Sequence, residues 1–451
     1  MTISSPLPDT IIENKAQLVR YFESGAKPKN GFLIGTEHEK FVLDTTTKQI
    51  VPYEGIKMLL QGMQRFGYQP MMEGPVLTGL SRGEASITIE PAGQFELSGA
   101  RLTNLHEMSD ELDQHIAEST QIANELGFRF MPIGYHPTAR INELPWMPKR
   151  RYEIMRNYMP KVGTRGLEMM QLTCATQVNL DFLDEHDMVR KMRVGLALQP
   201  IVAALFSNSP FKNGELSGQL STRYGVWADV DPARCGGLSF AFDDGFGFER
   251  YVDYSLDVPM YFVYRDGTYI DCTGQSFRDF MTGKLPAFMG QKPRMADYIN
   301  HLTTLFPDVR LRTYIEMRGA DVCNSAMIKA LAALWVGLLY DDSALNQAES
   351  LIKEWSIEQI TAMRRDVARF GMSVMVDKQS GFEIARHIIN LAKAGLQRRS
   401  VRNAGGADES RYLDVLLTLM KLEQTSAEYL IGLYQEVWGE DISPVFDTVI
   451  L

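Results

Sequence analysis

Hydrophobic and polar residues alternate with a period of two in four separate stretches of the chain. These stretches are residues 32–43, 87–98, 171–182 and 311–318. Because successive side chains of a strand point to opposite faces, each stretch predicts a strand with one apolar and one polar face. The pattern is typical of an antiparallel sheet that packs against a core on one side only.

A helical periodicity governs much of the remaining sequence. Apolar residues recur at helical spacing over residues 104–126, and Gly127 ends this predicted helix. Its two histidines, His106 and His115, are not spaced four residues apart as a metal-binding pair would be. We therefore expect both on the helix surface.

The order of the elements predicts an α+β fold. A capping-box pattern at Thr10 and Glu13 opens the first helix, and the chain is almost wholly helical after residue 324. The predicted divisions are an N-terminal helix (1–30), a catalytic α+β region carrying the sheet (30–320) and a helical region packed on it (321–451). We expect these parts to form one integrated domain.

The polar faces of the predicted strands carry ligand-type side chains instead of the usual Lys, Thr and Ser. Glu37 and Glu39 share one strand face, where two neighbouring carboxylates repel each other. A single pair of this kind is most often a solvated strand surface. The other three strands repeat the pattern, however. Their candidate ligands are Glu90, Gln94, Glu96, Gln177, Asn179, Glu316 and Arg318.

A cavity lined by five glutamates would hold too much negative charge to stay empty at neutral pH. The five are Glu37, Glu39, Glu90, Glu96 and Glu316. Two or three Mg²⁺ ions would neutralise them and bridge to phosphate oxygens, because hard cations prefer oxygen ligands. Arg318 shares a strand face with Glu316, so its guanidinium could stabilise charge on a transferring phosphoryl group.

The common nucleotide-binding motifs are absent from the sequence. No P-loop occurs, no G-x-G-x-x-G follows a strand, and no G-x-S-x-G elbow is present. A nucleotide would therefore be held by metal-bound carboxylates and by cations. The cations and aromatics of residues 145–164 suit a loop over an anionic ligand, and equally an ordinary surface excursion.

The charge balance, the apolar segments and the cysteines of the chain limit which kinds of partner and compartment it can have. The net charge of -10, from 46 Lys and Arg against 56 Asp and Glu, argues against a nucleic-acid surface. No segment approaches the roughly 20 apolar residues of a membrane span. The four cysteines lack a CxxC pair and suit a reducing compartment. No signal or transit peptide is recognisable, so we expect a cytoplasmic protein without nucleic-acid or membrane partners.

Six motifs follow one another along nearly the whole chain. They are GTEHEKF (35–41), IEPAGQFELSG (89–99), RYEIMRNYMPK (151–161), TQVNLDF (176–182), DVPMYF (257–262) and EMRGAD (316–321). Together they resemble the glutamate–cysteine ligase family, in the type shared by plants and proteobacteria. The resemblance implies an ATP- and Mg²⁺-dependent enzyme that joins the γ-carboxylate of L-glutamate to the amine of L-cysteine through γ-glutamyl phosphate, the first step of glutathione synthesis. It also implies a glutamine synthetase-like fold, with the site on the concave face of a curved antiparallel sheet and helices on the convex side.

The resemblance also implies a role for each matching residue. Metal ligands would be Glu37, Glu39, Glu90, Glu96 and Glu316. Gln177 and Asn179 would supplement these ligands or contact substrate. Arg151, Arg223 and Tyr261 would contact the amino-acid substrate, mainly around the cysteine carboxylate. Arg318 would bind the phosphoryl group in catalysis, beside Glu316.

The chain departs from the plant pattern at its cysteines. Cys272 matches a redox-regulatory cysteine of plant members, but Ala287 stands where its partner is expected, and Lys329 replaces another such cysteine. We therefore expect no regulatory disulfide and a monomer or weak homodimer. With the absent transit peptide, this indicates a bacterial cytoplasmic enzyme.

Two alternatives remain open at this point. One is a related carboxylate–amine ligase with a different amine acceptor. The other is a non-catalytic protein that binds a divalent metal or an amino acid on the same scaffold, although the carboxylate set with Arg318 is more than binding requires.

Overall fold

The structure of the protein is a computed structural model and describes residues 9–451. Its strands are β1 Ile34–Asp44, β2 Gln69–Glu73, β3 Val76–Arg82, β4 Ala85–Ile89, β5 Phe95–Ser98, β6 Phe128–Met131, β7 Ala175–Leu180, β8 Phe211–Lys212, β9 Glu215–Leu216, β10 Cys235–Gly236, β11 Phe262–Arg265, β12 Thr268–Asp271, β13 Phe306–Pro307, β14 Val309–Leu311, β15 Ile315–Asp321, β16 Met375–Val376 and β17 Gln379–Ser380.

The helices lie between and after these strands. They are α1 Lys15–Glu23, α2 Tyr53–Met63, α3 Leu105–Glu125, α4 Arg150–Tyr158, α5 Gly166–Leu172, α6 Glu185–Leu205, α7 Thr222–Trp227, α8 Phe248–Asp257, α9 Phe277–Met281, α10 Met295–Leu302, α11 Ser325–Leu339, α12 Asp342–Ile352, α13 Ile357–Phe370, α14 Gly381–Arg399, α15 Asp414–Leu422, α16 Ser426–Gly432 and α17 Val445–Thr448.

A nine-stranded sheet organises the molecule. Its strands lie in the order β14–β15–β7–β1–β5–β4–β3–β2, and β6 pairs with the C-terminal half of β1. Each pairing along this order is antiparallel. The predicted α+β class with an antiparallel sheet is therefore confirmed, and β1, which carries Glu37 and Glu39, lies at the centre of the sheet.

Helices cover one face of the sheet, which we call the helix face. Met317 of β15 packs against Gly195 of α6 on this face. The face also buries Lys40, whose Nζ lies 2.8 Å from Nε2 of His115 on α3. Burial lowers the pKa of Lys40 to about 7. Because side chains alternate along β1, Glu37 and Glu39 point to the opposite face, which we call the ligand face.

The strand register aligns the polar side chains of the ligand face in rows across the sheet. Cross-strand neighbours share a face, so each directly paired set forms part of one row. The pairs are Thr88 with Glu96, Glu96 with Glu39, Glu37 with Gln177, Asn179 with Glu316, and Glu316 with Arg310. The rows run from carboxylates on β1 and β5 to arginines on β14 and β15.

The structure corrects the predictions of one strand over residues 87–98 and of one strand over residues 311–318. Residues 87–98 fall in β4 and β5, which pair with each other antiparallel. β14 and β15 likewise form an antiparallel hairpin, in which Val309 pairs with Met317 and Arg310 with Glu316. The three residues 312–314 form the bend, and no glycine or proline marks it in the sequence. Residues 69–82 form two further strands that were not predicted, because Pro70 and Gly79 weaken the strand pattern.

Two helix details also differ from expectation. The first helix begins after Asn14, where the side chain of Gln17 accepts from the Asn14 amide at 3.1 Å, so the capping residues are not Thr10 and Glu13. His106 and His115 are buried rather than on the surface. His115 packs against the sheet, and His106 Nδ1 lies 2.9 Å from the hydroxyl of Tyr412, because α3 is covered on two sides.

The polar stretch 145–164 contains the helix α4 and a short 3₁₀ turn, not a simple loop. Trp335 on α11 and Leu396 on α14 belong to the large hydrophobic core that also includes residues of the sheet. Within residues 9–451, none of the helices combines the length and apolar character needed to cross a bilayer.

Candidate active site

Nine of the predicted site residues line a single cavity above the ligand face. The cavity measures about 990 Å³ when the space open to solvent at its mouth is included. The predicted residues on its wall are Glu37, Glu39, Glu90, Gln94, Glu96, Arg151, Gln177, Arg223 and Arg318. Segments distant in the sequence therefore bring these side chains together.

Carboxylates form the acidic half of the cavity. Glu39 and Glu96 lie directly opposite each other on β1 and β5. The Thr88 hydroxyl donates to Glu96 at 2.6 Å, and the Ala175 amide donates to Glu39 at 2.8 Å. Burial, followed by the charges of Glu96 and Glu90, raises the pKa of Glu39 to about 8. Without ligands, this half of the cavity therefore favours a bound proton or a bound cation.

Glu37 lies one row further along β1 and is almost fully buried. The side-chain amide of Asn179 donates a hydrogen bond to it at 2.8 Å. Burial, together with the negative charges of Glu96 and Glu316, raises the pKa of Glu37. Asn179 does not itself line the cavity, so it supports Glu37 from behind the wall.

Guanidinium groups form the basic half of the cavity. Arg318 donates to the side-chain oxygen of Gln177, and Arg310 donates to Glu316. Burial and the nearby charge of Arg310 lower the pKa of Arg318 to about 10, so Arg318 is still a cation at neutral pH. The cavity is thus bipolar, an arrangement suited to a polyphosphate whose oxygens meet both metal ions and guanidinium groups.

Glu316 is fully buried behind the basic half and does not line the cavity. Its Oε2 contacts both Arg310 and Arg318, and its Oε1 lies 3.9 Å from Arg312. Burial alone would raise the pKa of Glu316, but these three cations lower it to about 2. Within the described part of the chain, Oε1 has no hydrogen-bond partner. That oxygen is the one that a metal ion could use.

The start of α4 borders the acidic half. Lys149 and the hydroxyl of Tyr152 both donate to the carbonyl oxygen of Ile89, at 2.8 and 2.7 Å. Tyr152 also donates to Glu90 at 3.3 Å. Burial lowers the pKa of Lys149 to about 8. Lys149, Arg151 and Tyr152 of this segment therefore line the cavity, whereas Arg150 and Lys161 are exposed to solvent.

Tyr261 does not line the cavity. Its ring is fully buried under the guanidinium of Arg234, 3.8 Å from the ring centroid, and packs edge-on against Tyr158. It immediately precedes β11, whose pairing with β12 orders this part of the chain. In this structure Tyr261 supports the cavity from within the core.

The cavity wall also includes residues that the sequence did not single out. Among them are Thr88, Lys149, Tyr152, Trp227, Phe306 and Arg310. Arg310 was missed because the predicted strand began at residue 311, one residue too late. Lys149 and Tyr152 lay in the polar stretch 145–164, whose composition was the available signal.

The acidic half fits Mg²⁺ in its chemistry, although the protein does not form a complete cage by itself. Among residues 9–451, no three His, Cys, Asp or Glu side chains are grouped closely enough to hold a metal ion. Mg²⁺ usually keeps several waters and binds through one or two carboxylates together with substrate phosphates. Paired carboxylates with raised pKa values, beside the orphaned Oε1 of Glu316, are suited to that mode.

The sequence and fold match known glutamate–cysteine ligases. The family model described as glutamate-cysteine ligase family 2 matches residues 33–448. The chain is 46% identical to a chloroplastic glutamate–cysteine ligase of Solanum lycopersicum, over 99% of this chain and 85% of that protein. It is 47% identical to the chloroplastic enzyme of Arabidopsis thaliana, over 97% of this chain and 83% of that protein.

A solved structure shares the fold. It is the glutamate–cysteine ligase of Francisella tularensis in complex with AMP, with a TM-score of 0.54 and 14% sequence identity. The match covers 94% of this chain and 89% of that chain. At this level of identity the likeness concerns the fold alone.

The expected cytoplasmic location is wrong. The curated relatives from Solanum lycopersicum, Oryza sativa and Arabidopsis thaliana are chloroplastic proteins. The expectation rested on finding no recognisable signal or transit peptide and on the scattered cysteines. Such cysteines indicate only a reducing environment, and they do not distinguish one reducing compartment from another.

Proposed function

The chain belongs to glutamate–cysteine ligase family 2, and from that membership we propose that it joins the γ-carboxylate of L-glutamate to the amine of L-cysteine while ATP is converted to ADP and phosphate. One observation carries the proposal. Carboxylates from neighbouring strands face guanidinium groups across a single cavity, so a polyphosphate and a carboxylate substrate can be held together.

The reaction runs in two displacements. An oxygen of the glutamate γ-carboxylate attacks the γ-phosphorus of ATP, the bond to ADP breaks, and γ-glutamyl phosphate forms. The neutral cysteine amine then attacks the acyl carbon, phosphate leaves with the bond electrons, and the nitrogen releases one proton to solvent while it keeps the N–H of the new amide. Arg318 stabilises the charge on the transferring phosphoryl group, and Arg310 lies beside it on the same wall.

Glu37, Glu39, Glu90 and Glu96 would hold two or three Mg²⁺ ions in the acidic half, and Glu316 would contribute its orphaned Oε1. Bound Mg²⁺ would supply charge neutralisation for the phosphate oxygens. Gln177 accepts a hydrogen bond from Arg318, and Asn179 donates one to Glu37, so both amides orient the charged groups of the site.

The amino-acid substrates offer carboxylates to the cations of the wall. Arg151 and Arg223 are the proposed contacts, because both reach the cavity and guanidinium groups bind carboxylates in a bidentate manner. Tyr261 takes part only if the ring leaves its place under Arg234. We propose a monomer or weak homodimer, which sedimentation velocity over a range of concentrations would measure.

Substrate-dependent release of ADP tests the proposal. We expect release that requires Mg²⁺ and L-glutamate and reaches its full rate only with L-cysteine, and we expect mass spectrometry to identify γ-glutamylcysteine. A panel of other amines, used in place of cysteine, tests the alternative that the protein is a related carboxylate–amine ligase with a different acceptor. If another amine stimulates ADP release strongly while cysteine does not, the acceptor assignment is wrong, although the ligase chemistry remains.

A further inference from the structure

Two arginines of the basic wall depend on one short piece of backbone. The guanidinium of Arg223 donates to the carbonyl oxygens of Arg318 and Gly319, at 3.0 and 3.1 Å. The orientation of the Arg223 side chain therefore depends on the position of the main chain at residues 318–319. A shift of that backbone would move Arg223 and Arg318 together.

The pairing of β15 with β7 is interrupted at this piece of backbone. The register shifts between Met317 and Ala320, so the regular ladder does not fix the residues between them. The amide of Arg318 donates instead to the carbonyl oxygen of Asp308, at 3.1 Å. Asp308 thus holds the main chain of Arg318 from the β14 side.

Asp308 also reaches the helix that carries Arg223. Its carboxylate accepts from the hydroxyl of Tyr224 at 3.2 Å, and Tyr224 follows Arg223 on α7. The residue is almost fully buried. Through its main chain and its side chain, Asp308 therefore contacts the immediate surroundings of both arginines.

The charge of Asp308 is balanced from a distant part of the chain. Arg364 on α13 donates to the Asp308 carboxylate through Nε at 2.6 Å. Within residues 9–451, Arg364 is the one cation in an ion pair with Asp308. Its guanidinium lies close above Gly236, where an added Cβ would come within 2.8 Å of it. Removing one partner of a buried ion pair leaves an uncompensated charge, which the surroundings must move to accommodate.

We propose that Arg364 is a positioning residue for the basic wall of the cavity. By holding the Asp308 carboxylate, it keeps Arg318 and Arg223 in the orientation that binds the anionic groups of the substrates. The α13 helix thereby takes part in the chemistry without touching a substrate. The inference rests on the proposed function, since the anions are those of ATP, glutamate and cysteine.

Replacement of Arg364 by Met tests the inference, with its neighbour as a matched control. Arg365 follows on the same helix, is largely exposed, and pairs only with Asp366 among the described residues. In Arg364→Met we expect kcat/KM to fall about tenfold or more, with a raised KM for cysteine and a lower kcat. Arg365→Met should stay within about twofold of the wild type. Arg364→Lys should recover part of the loss, because lysine keeps the positive charge but cannot donate two parallel hydrogen bonds to the Asp308 carboxylate.

A double-mutant cycle separates positioning from a purely structural role. If Arg364 acts through Arg318 and Arg223, the effect of Arg364→Met on kcat/KM should shrink to less than about threefold in a background that carries both Arg318→Lys and Arg223→Lys. Effects that simply multiply would overturn the inference. A lower melting temperature with unchanged kcat/KM would overturn it as well.

Two further measurements keep the inference testable if Arg364→Met does not fold or if the wild type shows no turnover. If Arg364→Met does not fold, Tyr224→Phe removes only the hydroxyl that donates to Asp308, and we expect kcat/KM to fall at least about threefold. An unchanged value for Tyr224→Phe would then overturn the inference. A wild-type protein without turnover would overturn the proposed function. If the wild type is active and Arg364→Met and Arg365→Met have the same kcat/KM, this inference alone is overturned.

Discussion

At the residue scale, Glu39 and Glu96 present an electrostatic conflict, because they face each other across neighbouring strands. Like charges in this position destabilise a sheet unless a cation or a proton separates them. From the sequence, alternation predicted a different conflict, between Glu37 and Glu39 on one strand face. It did not predict that Glu96 lies opposite Glu39, because the register between strands is set only in the folded sheet.

The raised pKa of Glu39 predicts a pH dependence of stability. Its folded-state pKa is about 8, above its ordinary value, so its stabilising contribution is present below pH 4.5 and is lost as the pH rises to about 8. Between pH 5 and 8, without metal, we expect Glu39→Gln to gain on the order of 1–3 kcal/mol in unfolding free energy relative to the wild type. Urea denaturation in the presence of a chelator measures this difference.

The control for that experiment is Glu23→Gln. Glu23 lies exposed on α1 and forms no ion pair among residues 9–451. Its replacement should leave the pH dependence of the wild type unchanged. The same gain in both variants would show that the effect belongs to net charge and not to the cavity.

A second residue-scale prediction concerns Arg318. Because this side chain should contact the phosphoryl group mainly in the transition state, Arg318→Lys should lower kcat by about 10²-fold and leave KM nearly unchanged. In the structure Nη1 of Arg318 contacts both Gln177 and Glu316, and lysine keeps the charge but loses the planar guanidinium that can bind a phosphoryl group through two nitrogens. Steady-state kinetics beside melting curves measure the effect. An active lysine variant would indicate that Arg318 merely neutralises Glu316.

At the scale of elements, the strands that alternate cleanly were predictable, and so were the long helices. The hairpin of β14 and β15 was not, because its bend at residues 312–314 contains neither glycine nor proline. This error placed Arg310 outside the predicted strand and hid the second arginine of the basic wall. The burial of His115 was likewise hidden, because only tertiary packing shows that α3 is covered on two sides.

Close packing of α11 and α14 gives an element-scale prediction. A Cβ at Gly337 would lie 2.3 Å from the carbonyl oxygen of Ala392, so Gly337→Ala should destabilise the protein by roughly 1–3 kcal/mol. Gly432 in α16 has open space around it, so Gly432→Ala should stabilise by roughly 0.5–1 kcal/mol. Thermal or urea unfolding of the two variants measures both signs. A Gly337→Ala variant as stable as Gly432→Ala would contradict the packing described here.

At the scale of the whole molecule, the four cysteines are unpaired. Cys174, Cys272 and Cys323 are buried, and Cys235 is partly exposed. We therefore expect the rate of ADP release to change less than about twofold when dithiothreitol is added, because no disulfide is available to reduce. A reproducible several-fold change that an oxidant reverses would show that two of these cysteines can form a bridge.

The whole-molecule arrangement also explains what the sequence alone could not predict about the cavity. Its wall combines β1, β5, β7 and β15 with α4, α5 and α7, and no local pattern relates these segments. The acidic half was predictable, because each strand carried its own carboxylates. The positions of Lys149, Trp227 and Tyr261 depended on how the surrounding segments fold over the sheet.

Transfer of oxygen from substrate to phosphate tests the central claim most directly. Glutamate labelled with ¹⁸O in its γ-carboxylate should pass one labelled oxygen to inorganic phosphate for each γ-glutamylcysteine formed, because the γ-carboxylate oxygen becomes the bridging oxygen of γ-glutamyl phosphate. Mass spectrometry of the phosphate, with ATP and cysteine present, measures the transfer. We predict one label per turnover, whereas phosphate that carries oxygen only from ATP and water would contradict the account.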